Sequence, residues 1–114
     1  PDKNEIFKTY FYNNFDFEKK TDDYFNALMS EGLSSFNDFI ELETVEDLED
    51  IGINNKFHRK RIIKKVNAIK KERNEFETYL KELKMTNYLN ILDNNGIYTF
   101  DEFYSNINSI NHLN

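Results

Sequence analysis

The chain has no cysteine, no tryptophan, one proline and three glycines in 114 residues. Without cysteine there is no disulfide framework, no thiolate nucleophile and no zinc site of the usual kind, so an intracellular, cytoplasmic setting is the plain expectation. No apolar run approaches the roughly 20 residues of a membrane span and no charged-then-apolar leader opens the chain, so a membrane partner is not expected. The first residue is Pro1 rather than methionine, which suggests a piece of a longer protein. There is no glycine-rich phosphate loop and no HExxH, and neither His58 nor His112 lies near a serine with an evident acid partner. The chain is therefore expected not to be an enzyme and to hold no metal or cofactor.

Helical pattern fills what remains. Hydrophobic residues make up 39% and charged residues 32%, which is a globular balance, and eleven Phe and seven Tyr supply the interior. A chain of this size makes one ordinary domain or two very small ones with thin cores. Gly32, Gly52 and Gly96 each follow an apolar-periodic stretch, where a left-handed helix C-cap belongs. Thr44 with Asp47, and Thr99 with Glu102, place a hydroxyl at the N-cap and a carboxylate three residues on, so capping boxes should start the helices after Leu42 and Tyr98. The longest apolar stripe runs through Phe57, Ile62, Ile63, Val66 and Ile69 on one face of a helix whose other faces are basic. The fold class is all-α.

An internal repeat organises these helices. Tyr24, Leu28, Gly32, Phe36 and Phe39 recur 64 residues later as Tyr88, Leu92, Gly96, Phe100 and Phe103. Upstream, Phe7, Tyr10 and Phe11 answer Phe76, Tyr79 and Leu80; downstream, Leu42, Val45 and Leu48 align with Ile107, Ile110 and Leu113. The second copy has no counterpart of Gly52 or of the long basic helix. Between Asn55 and Met85 there is no Gly or Pro, so the last helix of copy one could continue into copy two as one rod, or bend near Asn74 where its apolar stripe changes. Phe76, Leu80, Leu92, Phe103, Ile107 and Ile110 should then lack part of their cover.

The first copy resembles the sterile alpha motif (SAM) domain. The resemblance rests on Leu48-Glu-Asp-Ile51-Gly52-Ile53 in the turn before the last helix, on His58-Arg59-Lys60-Arg61-Ile62-Ile63 at the start of that helix, and on Thr44-Val-Glu-Asp-Leu48 in the short helix before it. It implies a small five-helix bundle over residues 4–73. Residues 74–114 then resemble helices one to three and the start of helix four of a second, partial SAM-like unit. A tryptophan often present in the family's first helix is absent, and Tyr10 or Phe11 stands there.

Charge is distributed unevenly across these segments. Residues 1–53 carry a net −10, residues 54–73 a net +8 and residues 74–114 a net −4. The resemblance implies a use for this layout, because many SAM domains associate head to tail, mid-domain to helix-five start. An acidic surface of Asp38, Glu41, Glu43, Glu46, Asp47, Glu49 and Asp50 would face a basic one of Ile53, Lys56, Phe57, His58, Arg59, Lys60 and Lys64. The function implied is self-association, or association with another SAM-like domain, within a larger signalling or scaffold protein, giving a homo-oligomer. The alternative is RNA binding through the basic helix 56–65, which the surrounding acid disfavours. Asp93-x-Asn95-Gly96-x5-Glu102 copies part of a calcium loop, but Ile91 stands where its first carboxylate should be.

Overall fold

The structure, a computed structural model, describes residues 2–113, with side chains as far as Asn106. Among these residues the chain is all-helical: α1 (Lys3–Asn14), α2 (Lys20–Ser30), α3 (Phe36–Phe39), α4 (Val45–Asp50), α5 (Lys56–Glu82), a 3-10 turn (Thr86–Tyr88), α6 (Leu89–Asn94) and α7 (Phe100–Leu113). The side chains of Ile107, Ile110, His112 and Leu113, singled out above, lie outside the described ones.

Local chemistry sets the helix ends. Asp2 accepts hydrogen bonds from the amides of Asn4 and Glu5 to start α1, and Asn55 does the same for Phe57 and His58 at the head of α5. Such caps each stabilise a helix by about 1 kcal/mol by pairing amides that the helix leaves free. In the first 70 residues Phe7, Phe11, Leu28, Phe39, Leu48, Ile53, Ile62 and Val66 are all fully buried in one cluster. Burial of each large side chain favours folding by about 1.5–3 kcal/mol relative to exposure.

The rod alternative is the one the backbone takes. α5 is a single 27-residue helix, about 40 Å at 1.5 Å per residue. Its buried positions are Ile62, Val66, Ile69, Arg73, Phe76 and Leu80, an unbroken 4-3-4-3-4 spacing that keeps one face inward through both repeats. Arg73 bridges the point at which the apolar stripe seemed to change.

The two repeats share contact geometry as well as sequence. In the first, the Phe36 ring meets Phe7 at 5.6 Å and 82° and Tyr10 at 5.1 Å and 66°. In the second, Phe100 meets Phe76 at 5.1 Å and 81° and Tyr79 at 5.2 Å and 65°. Phe7–Phe39 and Phe76–Phe103 are tilted at 54° and 49°. Gly32 and Gly96 have φ of +78° and +74°, and each is followed by a residue whose amide bonds back to Leu28 or Leu92, the Schellman closure.

The copies diverge after Phe39 and Phe103. The first turns at Ile40–Leu42 and restarts at α4, whereas α7 runs on from Phe100 to Leu113 where a third helix and the start of a fourth were expected. The missing cover is also placed differently from expectation. Phe76 and Leu80 are buried and Leu92 and Phe103 half-buried, while Tyr79, Leu83, Tyr88, Ile91 and Tyr104 are exposed.

The turn before α7 packs on α1 and α3. Tyr98 stacks on Phe36 at 5.6 Å and 16°, and Gly96 sits so close to Ile6 that a Cβ there would collide with the isoleucine side chain.

Candidate protein-interaction surface

The start of α5 and the turn before it carry the predicted basic residues, and the fold separates them into two sets. Ile53 is fully buried. Its amide closes the α4 turn onto the Leu48 carbonyl at 3.0 Å, and the apolar residue after a Schellman glycine packs back on its helix. It therefore does not line a surface, contrary to the expectation from sequence. Arg59 is drawn inward as well: its Nη1 donates to the carbonyls of Ile53 at 3.1 Å and Asn54 at 2.9 Å, and its Nη2 lies 4.0 Å from Glu49. His58 packs on the Phe17 ring, 4.6 Å between centroids, with its Nδ1 2.6 Å from the Tyr24 hydroxyl. Desolvation there, with the Arg61 guanidinium adding to it, pushes the imidazole below its ordinary range.

Lys56, Phe57, Lys60 and Lys64 remain outside. Phe57 is 63% exposed, and the Lys56 and Lys60 ammonium groups lie 5.5 and 5.7 Å from its ring centroid, within cation–π range. Lys64 turns to a separate groove of about 370 Å³, which Arg61, Lys65, Phe15 and Phe17 also line.

The acidic set divides in the same way. Asp38 accepts from the Ser34 amide at 3.0 Å and the Ser35 hydroxyl at 2.9 Å and so starts α3. Asp47 accepts from the amides of Glu43 and Thr44 at 2.8 and 3.1 Å, and those two donors hold its carboxyl below the usual carboxylate range. Glu41, Glu43, Glu46, Glu49 and Asp50 are exposed. Among the described residues the one ion pair joining the two predicted surfaces is Arg59–Glu49. The charge separation thus survives folding.

Arg73, which the sequence reading did not single out, is 7% exposed. Its guanidinium meets both Asp93 oxygens at 2.7 and 3.0 Å, donates to the Tyr98 carbonyl at 3.0 Å and to Glu77 at 3.0 Å, and lies 4.1 Å from the Tyr98 ring. The signal was present in the chain: a base at the 3-4 spacing between Ile69 and Phe76. Asp93 and Glu102, two of the calcium-loop positions, are thereby engaged, Asp93 with Arg73 and Glu102 with the amide and hydroxyl of Thr99.

No helix among the described residues is long and apolar enough to cross a membrane. The family model of the SAM domain (sterile alpha motif) matches residues 20–70, from α2 to the middle of α5. Comparisons with curated proteins and with solved structures find no match.

Proposed function

We propose that the first repeat is a SAM domain whose work is protein association, followed by an incomplete second SAM-like unit, in a non-catalytic part of a larger intracellular signalling or scaffold protein. The match over residues 20–70 supports the first element of this reading, and the shared Phe36 and Phe100 geometry supports the second. The observation that carries the function is Phe57, exposed and flanked by Lys56 and Lys60 on a helix that follows an acidic mid-domain.

Complementary charges on two copies steer them into a single register, although rim ion pairs contribute at most about 1 kcal/mol each. Affinity needs an apolar anchor, and Phe57 is the one the basic face offers. Such contacts are heterologous, so they produce a ring or a filament according to whether the rotation closes.

Light scattering across concentration tests the proposal, at low and high salt and with Lys56→Glu/Lys60→Glu. Association that weakens with salt and with the double reversal is expected. A chain that stays monomeric throughout and captures no SAM-like partner refutes it. Salt-sensitive retention of labelled RNA by the same lysines would favour the RNA alternative instead.

A further inference from the structure

The repeat makes two equivalent faces, and the turn before α7 covers part of one of them. In the first copy Ile6, Thr9, Tyr10, Asn13 and Phe36 line a cavity of about 520 Å³, one edge of which receives the second copy's turn, with Tyr98 on Phe36 and Gly96 on Ile6. The matching positions of the second copy are Glu75, Thr78, Tyr79, Glu82 and Phe100. With Asn74 they line an open groove of about 440 Å³. Tyr79 is 44% exposed. Phe100, packed on Phe76 and stacked on Tyr104 at 6.0 Å and 20°, also lines the groove.

The differences between the faces define the occupant. Both floors are a Phe and a Tyr in the same T-shaped pair, which suits an incoming aromatic ring. Glu75 replaces Ile6 and Glu82 replaces Asn13, so the second face requires cations beside the ring. This chain presents such a group in Phe57 with Lys56 and Lys60. The exposed Tyr12 does not qualify, because its hydroxyl is held by Asp22 at 2.6 Å.

We infer that the Tyr79–Phe100 groove is the acceptor for the Phe57 end of a second copy, with Glu75 and Glu82 facing Lys56 and Lys60. This rests on the reading that the α5 start mediates association, and it moves the anchor's seat from the mid-domain to the second repeat. The mid-domain offers no equal seat, since Phe39, Leu42 and Leu48 are buried there. A molecule cannot fill its own groove: Phe57 and Tyr79 lie on one straight helix, 22 residues and about 33 Å apart. The contact is heterologous and propagates head to tail.

A charge swap in the full chain tests this. Glu75→Lys/Glu82→Lys and Lys56→Glu/Lys60→Glu should each weaken self-association at least about tenfold, and an equimolar mixture of the two should restore it. In the otherwise cysteine-free chain, a Lys60→Cys/Glu82→Cys variant should form intermolecular disulfides under mild oxidation. Association lost on reversal of Glu46, Glu49 and Asp50 but indifferent to Glu75 and Glu82 overturns the groove and leaves the broader function standing. A wild-type chain monomeric at all concentrations overturns self-association altogether.

Discussion

Arg73 and Asp93 form a two-point ion pair, at 2.7 and 3.0 Å, that fastens α5 to α6 beside the ring of Tyr98. The base is buried in the middle of α5, so one side chain orients α6 and the turn after it against that helix. Arg73→Met should cost about 3 kcal/mol, because Asp93 and the Tyr98 carbonyl lose their donor in a partly dry site. Amide hydrogen exchange should show early loss of protection in α6 and α7 and little change around Phe7 and Phe39. Uniform loss across both repeats would contradict the role given to this pair.

Gly96 should tolerate alanine less well than Gly32. Both glycines hold positive φ, a conformation that costs an L-residue roughly 1–2 kcal/mol. A Cβ at position 32 meets open space, whereas one at position 96 runs into Ile6, adding about 1–3 kcal/mol of overpacking. Urea denaturation of Gly96→Ala, Gly32→Ala and Gly96→Ala/Ile6→Ala reads this directly. Partial rescue in the double variant is expected, and equal losses at the two glycines would argue against the intercopy contact.

Folding stability should fall as pH drops below neutrality through His58. Its folded pKa is lowered beneath the ordinary 6.5, so the unfolded chain binds more protons between the two values. The stability contributed by this group is complete above 6.5 and is lost as pH falls through the lowered value. An NMR titration of the imidazole, paired with denaturation at each pH, checks both halves, and His58→Gln should flatten the slope in that window. A His58 titrating above 6.5 contradicts the packing against Phe17.

Arg59 and Lys60 are neighbours in sequence with different work. Arg59→Ala removes donors to two turn carbonyls and should cost about 2 kcal/mol of stability. Lys60→Ala should stay within about 0.5 kcal/mol, as exposed substitutions do, yet weaken association. Thermal melts and light scattering on the same two variants separate the roles. Equal stability losses would place Lys60 in the fold.

The acidic residues show how far a one-dimensional reading reaches. Seven carboxylates in sequence order read as one surface, but Asp38 and Asp47 are taken up by backbone amides just before their own helices. Asp47 could be recognised from its Thr44 spacing. Asp38 stands in the same relation to Ser35 and was legible by the same rule.

By itself, the sequence determined the all-helical class, the glycine closures and the charge step, because each depends on residues within one or two turns of each other. Tertiary structure alone decided that His58 turns inward onto Phe17 and Tyr24 while Phe57 stays out, and that Arg73 meets Asp93 and Tyr98. It also decided that the groove beside Tyr79 is left open. Those outcomes depend on which distant side chains compete for the same buried space, and local periodicity carries no record of that competition.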